Sequence, residues 1–256
     1  MTPLGFRAGD VLKLAREAQS SSPRGPLLVT GVLAERLARE LSVGGDPALV
    51  RTEGDPAEAS ALVRVVAGAA TAEDERALRA ATRALVPVVA VQLGDPDVRL
   101  PYVLATDVVV CEAGKGFPVG EITRVLAGAL GRDGAALASS LPVLRDAVQE
   151  RRVADGALTA GALAMTGGDA PRLPALALAQ SRTLSDLAVA GGAAAPGEPR
   201  AAAQAVAPAL GVAVATGLAA RALVRRLPIR NRLLEGAVAA GATYVLAMVF
   251  RRIPRG

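Results

Sequence analysis

The sequence predicts a doubly wound, mostly parallel α/β domain followed by an all-helical one, and three observations carry that prediction. Short apolar runs alternate with amphipathic stretches between Leu27 and Leu130, the strand, helix, strand rhythm of an α/β sandwich. Two of the runs, Val86–Gln92 and Asp107–Cys111, are continuous, as in strands buried on both faces of a parallel sheet. After Gly131-Arg-Asp-Gly134 the texture turns helical and stays so. The expected domains are an N-terminal helix and linker at 1–24, the α/β domain at 25–131 and the helical domain at 132–256.

Taken in order, Arg7–Gln19 reads as a short amphipathic helix with Val11, Leu12 and Leu14 on its apolar side, and Ser20–Gly25 as a loop. Leu27–Thr30 is a strand and Val32–Leu41 a helix, separated from the next strand by the turn Gly44-Gly45-Asp46-Pro47. Ala48–Thr52 and Ala61–Ala67 are strands. Thr71–Leu85 is a helix that opens on a capping box, Thr71 with Asp74 three residues on. Pro118–Leu130 closes the domain as a further helix. Beyond it the helices are Ala135–Gln149, Leu158–Met165, Leu176–Val189, Ala201–Val224 and Leu233–Phe250. Their breaks fall at Gly167-Gly168-Asp169, at Gly191-Gly192 with Pro196-Gly197-Glu198-Pro199, and at Leu227-Pro228.

Composition removes whole classes of chemistry. The 256 residues contain no histidine, so Ser-His-Asp and Cys-His catalysis, His-bound metals and His pH switches are excluded. A single cysteine, Cys111, excludes internal disulfides and a cysteine zinc site. It is expected to end a buried strand as a structural thiol. Met1–Asp10 has neither a basic nor an apolar signal region, so an intracellular, cytoplasmic location is expected. Net charge is +5, yet Arg221 to Gly256 holds eight arginines against Glu235, a local +7, leaving −2 for the rest. The arginines Arg221, Arg225, Arg226, Arg230, Arg232, Arg251, Arg252 and Arg255 therefore form the candidate contact to an anionic surface such as lipid headgroups, with solvated helix ends as the plain alternative. No aromatic platform accompanies them, so nucleic acid is not the expected partner.

Two apolar stretches in this half approach the length of a membrane span, Ala201–Ala220 and Leu233–Phe250. Their small-xxx-small spacings, Ala213-xxx-Gly217 and Ala237-xxx-Gly241, would let two helices pack closely. A two-pass hairpin would place Arg221 to Arg232 on the outer side, against the positive-inside tendency. A buried hairpin in a helical bundle or a peripheral helix pair is the better expectation.

The first strand runs into Gly31-Val-Leu-Ala-Glu-Arg-Leu-Ala38, where a phosphate-binding loop would read G-x-x-x-x-G-K-[ST]. The second Gly and the Lys-Ser/Thr are missing. Further on, Pro87-Val-Val-Ala-Val-Gln-Leu-Gly-Asp95 ends on an aspartate after an apolar strand, and Val108-Val-Val-Cys-Glu-Ala-Gly-Lys-Gly-Phe-Pro118 runs from a strand into a helix with Glu121 and Ile122. In this order, with Ala61–Gly68 and Thr71–Asp74, the segments resemble the Era/Der-type branch of translation-factor-like GTPases. The resemblance aligns Gln92-Leu93-Gly94-Asp95 with the guanine-reading N-K-x-D, of which Asp95 remains, and Cys111-Glu112-Ala113 with S-A-K. The second half resembles the helical domain of YcjF-type bacterial proteins, through Leu141–Arg145, Gly168–Pro174 and Leu176–Gln180 with Gly191-Gly192.

The resemblance implies a GTPase-like scaffold without its nucleotide chemistry: a non-catalytic binding or regulatory module, with no cofactor, engaging a protein partner in the cytoplasm or at the inner face of the cytoplasmic membrane. Two alternatives stand beside it. One is a residual nucleotide or phosphate binder using Asp95 with Gly114, Lys115 and Gly116, glycines and a lysine close to a helix start; turn chemistry explains the same residues. The other is a membrane-associated structural adaptor working through the C-terminal helices. The acids Glu73, Asp74 and Glu75 are expected to be solvated in a first helical turn, where they complement the helix dipole.

Overall fold

The computed structural model describes residues 25–94, 99–112, 114–165, 172–196, 198 and 232–252. The chain forms two compact units that divide between Arg151 and Arg152.

The first unit is built on five strands, β1 (Leu27–Gly31), β2 (Val50–Arg51), β3 (Ala61–Ala67), β4 (Val88–Leu93) and β5 (Val108–Cys111). They lie in the order β2-β1-β3-β4-β5, and every pair is parallel. The helices are α1 (Ala34–Leu41), α2 (Ala72–Arg83), α3 (Val119–Ala129), α4 (Gly134–Ser140) and α5 (Pro142–Met165), the last running on into the second unit. The chain moves one way from β1 to β2 and the other way from β3 to β5. Right-handed crossovers then place α1 and α2 on opposite faces of the sheet.

Register fixes what each face buries. Leu28, Leu62 and Val88 are paired neighbours across three strands and pack with Leu78 and Ala81 of α2. Val66 and Ala90 continue that face under Leu100 and Val103. On the other face Leu27, Val29, Val63, Val65, Val89, Val91 and Val109 are fully buried beneath α1 and α3, which contact β1 and β4 respectively. Burying both faces explains why these strands read as continuous apolar runs.

Local chemistry moves several boundaries. The expected strand Ala48–Thr52 shrinks to two residues because Pro47–Leu49 forms a 3₁₀ turn, with the Asp46 carboxylate accepting from Ala48 N–H at 2.9 Å. The expected helix Ala135–Gln149 is broken at Leu141, which is extended (φ −120°, ψ 90°), since Pro142 disfavours a helical residue before it. Helix α5 then runs without a break through Gly156 to Met165, joining two stretches the sequence separates. The first unit also extends past Gly131. Asp46 N–H bonds to the Ser140 carbonyl at 3.1 Å, and α4 contributes Ala135, Leu137 and Ala138 to the fully buried core.

The second unit contains α5 from Arg152 onward, α6 (Arg172–Ala190) and α7 (Arg232–Arg252). Arg152 and Asp186, both largely buried, approach to 3.6 Å, and the Gln180 amide donates to the Thr243 hydroxyl at 3.0 Å. A Cβ on Gly161 would lie 3.2 Å from the Ala240 Cβ and 3.3 Å from the Gly236 carbonyl. The close helix crossing thus uses Gly236 and Ala240, one position before the predicted Ala237 and Gly241, both exposed. The helices expected at 7–19 and 201–224, with the Ala213-xxx-Gly217 spacing, fall outside the described residues. Among the described residues no helix is long and apolar enough to cross a membrane.

The same packing gives a direct test. A Cβ at Gly156 would fall 2.4 Å from the Thr183 hydroxyl oxygen and 2.6 Å from its methyl carbon. Gly156→Ala is therefore expected to destabilise the helical unit by about 1–3 kcal/mol through overpacking, despite alanine's better helix propensity. Thermal unfolding should show a lowered transition, restored by the added change Thr183→Ala; a raised transition in the single variant would contradict this packing.

Candidate functional site

In doubly wound sheets ligands sit beyond the carboxyl ends of the strands, at the point where the crossovers diverge. Here that point lies between β1 and β3. Strand β1 ends on Gly31 with φ +99°, and a Cβ there would stand 2.0 Å from the Val65 carbonyl oxygen of β3. The next amide, Val32 N–H, donates to that same carbonyl at 3.1 Å. Leu33 follows in the left-handed region (φ 58°) as the N-cap of α1, and its carbonyl takes the amides of Arg36 and Leu37. Val32 and Leu33 are the whole connection, and they are 48% and 52% exposed. The crevice is closed by backbone and fronted by two aliphatic side chains. Leu33 supplies no capping side chain, and Glu35 in the first turn disfavours an anion there.

The β3–α2 rim carries a buried polar network. Arg64, in the middle of β3, donates from Nε to Asp74 Oδ1 at 2.7 Å and from Nη2 to Glu73 Oε1 at 3.2 Å. The other Asp74 oxygen accepts from the Thr71 amide at 2.8 Å and its hydroxyl at 2.7 Å, and Asp74 N–H returns a bond to that hydroxyl. The capping box read from the sequence is present, but Asp74 is not solvated: its side chain is 8% exposed, against 73% for Glu73. Burial pushes the Asp74 carboxyl up; the Thr71 hydrogen bonds and the Arg64 guanidinium outweigh that and bring it below its ordinary value. The acid cluster is thus a cap and an ion-pair site. Among the described residues no trio of acids or cysteine gathers as a metal site would.

Gln92, expected from the resemblance to open a base-reading loop, is 1% exposed. Its amide donates to the Gly68 carbonyl at 3.4 Å, tying the end of β4 to the β3–α2 turn. Asp95, the residue expected to read a base, lies outside the described residues.

Beyond β5, Gly114 and Gly116 take left-handed conformations (φ 82° and 77°). Between them Lys115, 74% exposed, pairs through Nζ with Glu112 at 2.5 Å. Cys111 is buried, and its thiol donates to the Gly116 carbonyl at 3.0 Å. Burial raises its pKa, with the Arg36 charge opposing, which suits a structural thiol. Arg36 also sits 5.9 Å from the Phe117 ring centroid and bonds to Glu40 at 3.2 Å. Gly114, Lys115 and Gly116 therefore come to the same end of the sheet as Gly31, as a turn whose cation already has a partner.

Of the C-terminal arginines, Arg251 is half-buried near the end of α7. Arg232 and Arg252 belong to that helix, with side chains outside the described set. Arg221, Arg225, Arg226, Arg230 and Arg255 lie outside it entirely. A pocket of about 380 Å³ opens elsewhere, at the amino end of the sheet, between Gly25, Leu28, Arg51, Asp55 and Glu58. It is remote from the switch point, and Asp55 is already engaged as a cap on Ala57 N–H. Sequence reasoning missed Arg64; the signal was a lone charge inside Ala61–Ala67, followed ten residues later by the capping acid.

No family model, curated protein or solved structure matches the chain.

Proposed function

We propose that this protein is a non-catalytic binding or regulatory module, built on a GTPase-like scaffold and acting at the cytoplasmic face of a membrane. The observation that carries the reading is the closed β1–α1 connection. A phosphate cradle needs a loop of free amides around the ligand. Here Val32 N–H is spent on the Val65 carbonyl, and Gly31 is paired beside Val65 with no room for a Cβ. The order of segments in the sequence supports the scaffold. The sheet order of the described strands is compatible with it and is shared by other doubly wound folds.

Calorimetric titration of the full chain with GTP and GDP is expected to give no binding in the micromolar range. One charge-assisted hydrogen-bond pair from Asp95 would contribute about 1.5–3 kcal/mol, well below the ~8 kcal/mol of a micromolar complex. Micromolar GTP binding that Asp95→Ala abolishes would overturn the reading.

A further inference from the structure

We propose that the outer face of α2, with the two loops at its carboxyl end, is a docking surface for an anionic membrane. This rests on the binding-module reading above and gives that module a surface. Helix α2 ends in a hydrogen-bonded cap: Val86 N–H bonds to the Ala81 carbonyl at 2.9 Å, and Leu85 N–H to the Thr82 carbonyl at 3.1 Å. The residue between, Leu85, is left-handed (φ 57°), in the position where such caps place glycine. It is also 84% exposed. The neighbouring loop repeats the pattern. Tyr102 follows Pro101 in a turn with φ 64° and is 47% exposed, and Leu104 beyond it is 71% exposed. The Thr82 hydroxyl lies 3.5 Å from the Tyr102 carbonyl, so the two loops are adjacent.

Bulky side chains in left-handed backbone are costly, and here they are spent on side chains that the core does not use. Past its first turn, which holds Glu73, Asp74 and Glu75, the helix carries charge of one sign. Arg76, Arg79 and Arg83 stand at i, i+3 and i+7 on α2, one side of a helix. None forms an ion pair among the described residues: Arg76 Nε donates to the Ala72 carbonyl, and Arg79 lies 5.1 Å from the Tyr102 ring centroid with its Nε buried and unbonded. Glu73, three residues before Arg76, and Glu75, four before Arg79, are acids on the same helix, and Asp107 lies one turn beyond Leu104; all three oppose the stripe.

Projecting aliphatic side chains, an amphipathic tyrosine and a basic stripe suit the headgroup boundary. Arginines there meet phosphates while leucine and tyrosine enter the interface. Side chains as exposed as Leu85 and Leu104 project outward, so an apolar anchor from a protein partner would find no groove between them.

The test is sedimentation of the full-length protein with vesicles of phosphatidylcholine alone and with added phosphatidylserine, for the natural chain, Leu85→Gly, and Arg76→Gln with Arg83→Gln. The natural chain is expected to bind the anionic vesicles. Leu85→Gly relieves the strained cap, so its melting temperature should rise while its partition falls about five-fold; a merely structural Leu85 would give the rise alone. The double arginine variant should lose about thirty-fold, taking two headgroup-scale contributions together. Binding unchanged in both variants overturns this surface and leaves a membrane role to the C-terminal arginines. No binding by the natural chain overturns it too, as does self-association in sedimentation that Leu85→Gly abolishes, which would assign the patch to a second copy. The nucleotide titration reads the binding-module proposal independently of all these outcomes.

Discussion

Asp74→Ala is expected to destabilise the α/β unit by about 3–5 kcal/mol, the range for breaking a buried ion pair from one side. The Arg64 and Asp74 side chains are 7% and 8% exposed. Removing the acid would leave the guanidinium inside the sheet with Glu73, at 3.2 Å, as its remaining partner. The Thr71 cap would be lost with it, a further effect that overlaps the first rather than adding to it. Asp74→Asn keeps the cap and removes the charge, so it should fall between the natural chain and Asp74→Ala. Adding Arg64→Met to Asp74→Asn should recover much of the loss, because the strand then buries an apolar chain of similar length. Urea denaturation followed by circular dichroism reads all of these, and a loss under about 1 kcal/mol for Asp74→Ala would mean the pair is solvated after all.

The same carboxylate sets a pH dependence. Its folded pKa lies below the ordinary value of 3.8, so the unfolded chain takes up the proton first as pH falls. The pair's contribution is therefore complete above about pH 4 to 5 and is lost as pH drops through the folded pKa. The natural chain should lose stability below about pH 4 more steeply than Asp74→Asn. Parallel acid limbs in the two proteins would show that Asp74 does not carry the effect.

Much of this frame was legible because its signals are local. Ala61–Ala67 is a strand to the residue, since an unbroken apolar run between turns has few other uses in an α/β chain. The Thr71–Asp74 box marked its helix for the same reason. What escaped the sequence depends on tertiary neighbours. Arg64 is buried because Asp74 reaches back to it, and nothing within Ala61–Ala67 announces that partner. The helix contact at Gly236 and Ala240, one residue from the predicted pair, is a matter of rotation about the α7 axis, which spacing alone leaves open. At the candidate site the absence of a phosphate-loop motif was plain from Gly31 to Ala38. That Val32 is pinned to β3 while its side chain and that of Leu33 stay exposed was not, because the cause is the carbonyl of Val65.

That pinning leads to the second large expected effect. Gly31→Ala should cost on the order of 3–5 kcal/mol, or abolish folding of the α/β unit. The new Cβ would stand 2.0 Å from the Val65 oxygen and about as close as 3.0 Å to its carbonyl carbon. Those are backbone atoms of a central strand and have no rotamer to escape into. Gly68→Ala is the control. It also has a positive φ, 68° against 99° at Gly31, but nothing within 4 Å of the added carbon, so it should cost only the conformational penalty, about 1 kcal/mol. The difference between the two isolates contact from backbone preference. If Gly31→Ala proves as mild as Gly68→Ala, the β1–α1 connection lifts away from β3 more easily than its hydrogen bond implies. The amide of Val32 would then be free to meet a ligand, and a nucleotide or phosphate binder would displace the non-catalytic reading. If the gap is several kcal/mol, the same carbonyl that stabilises the end of β1 is what keeps the switch point shut.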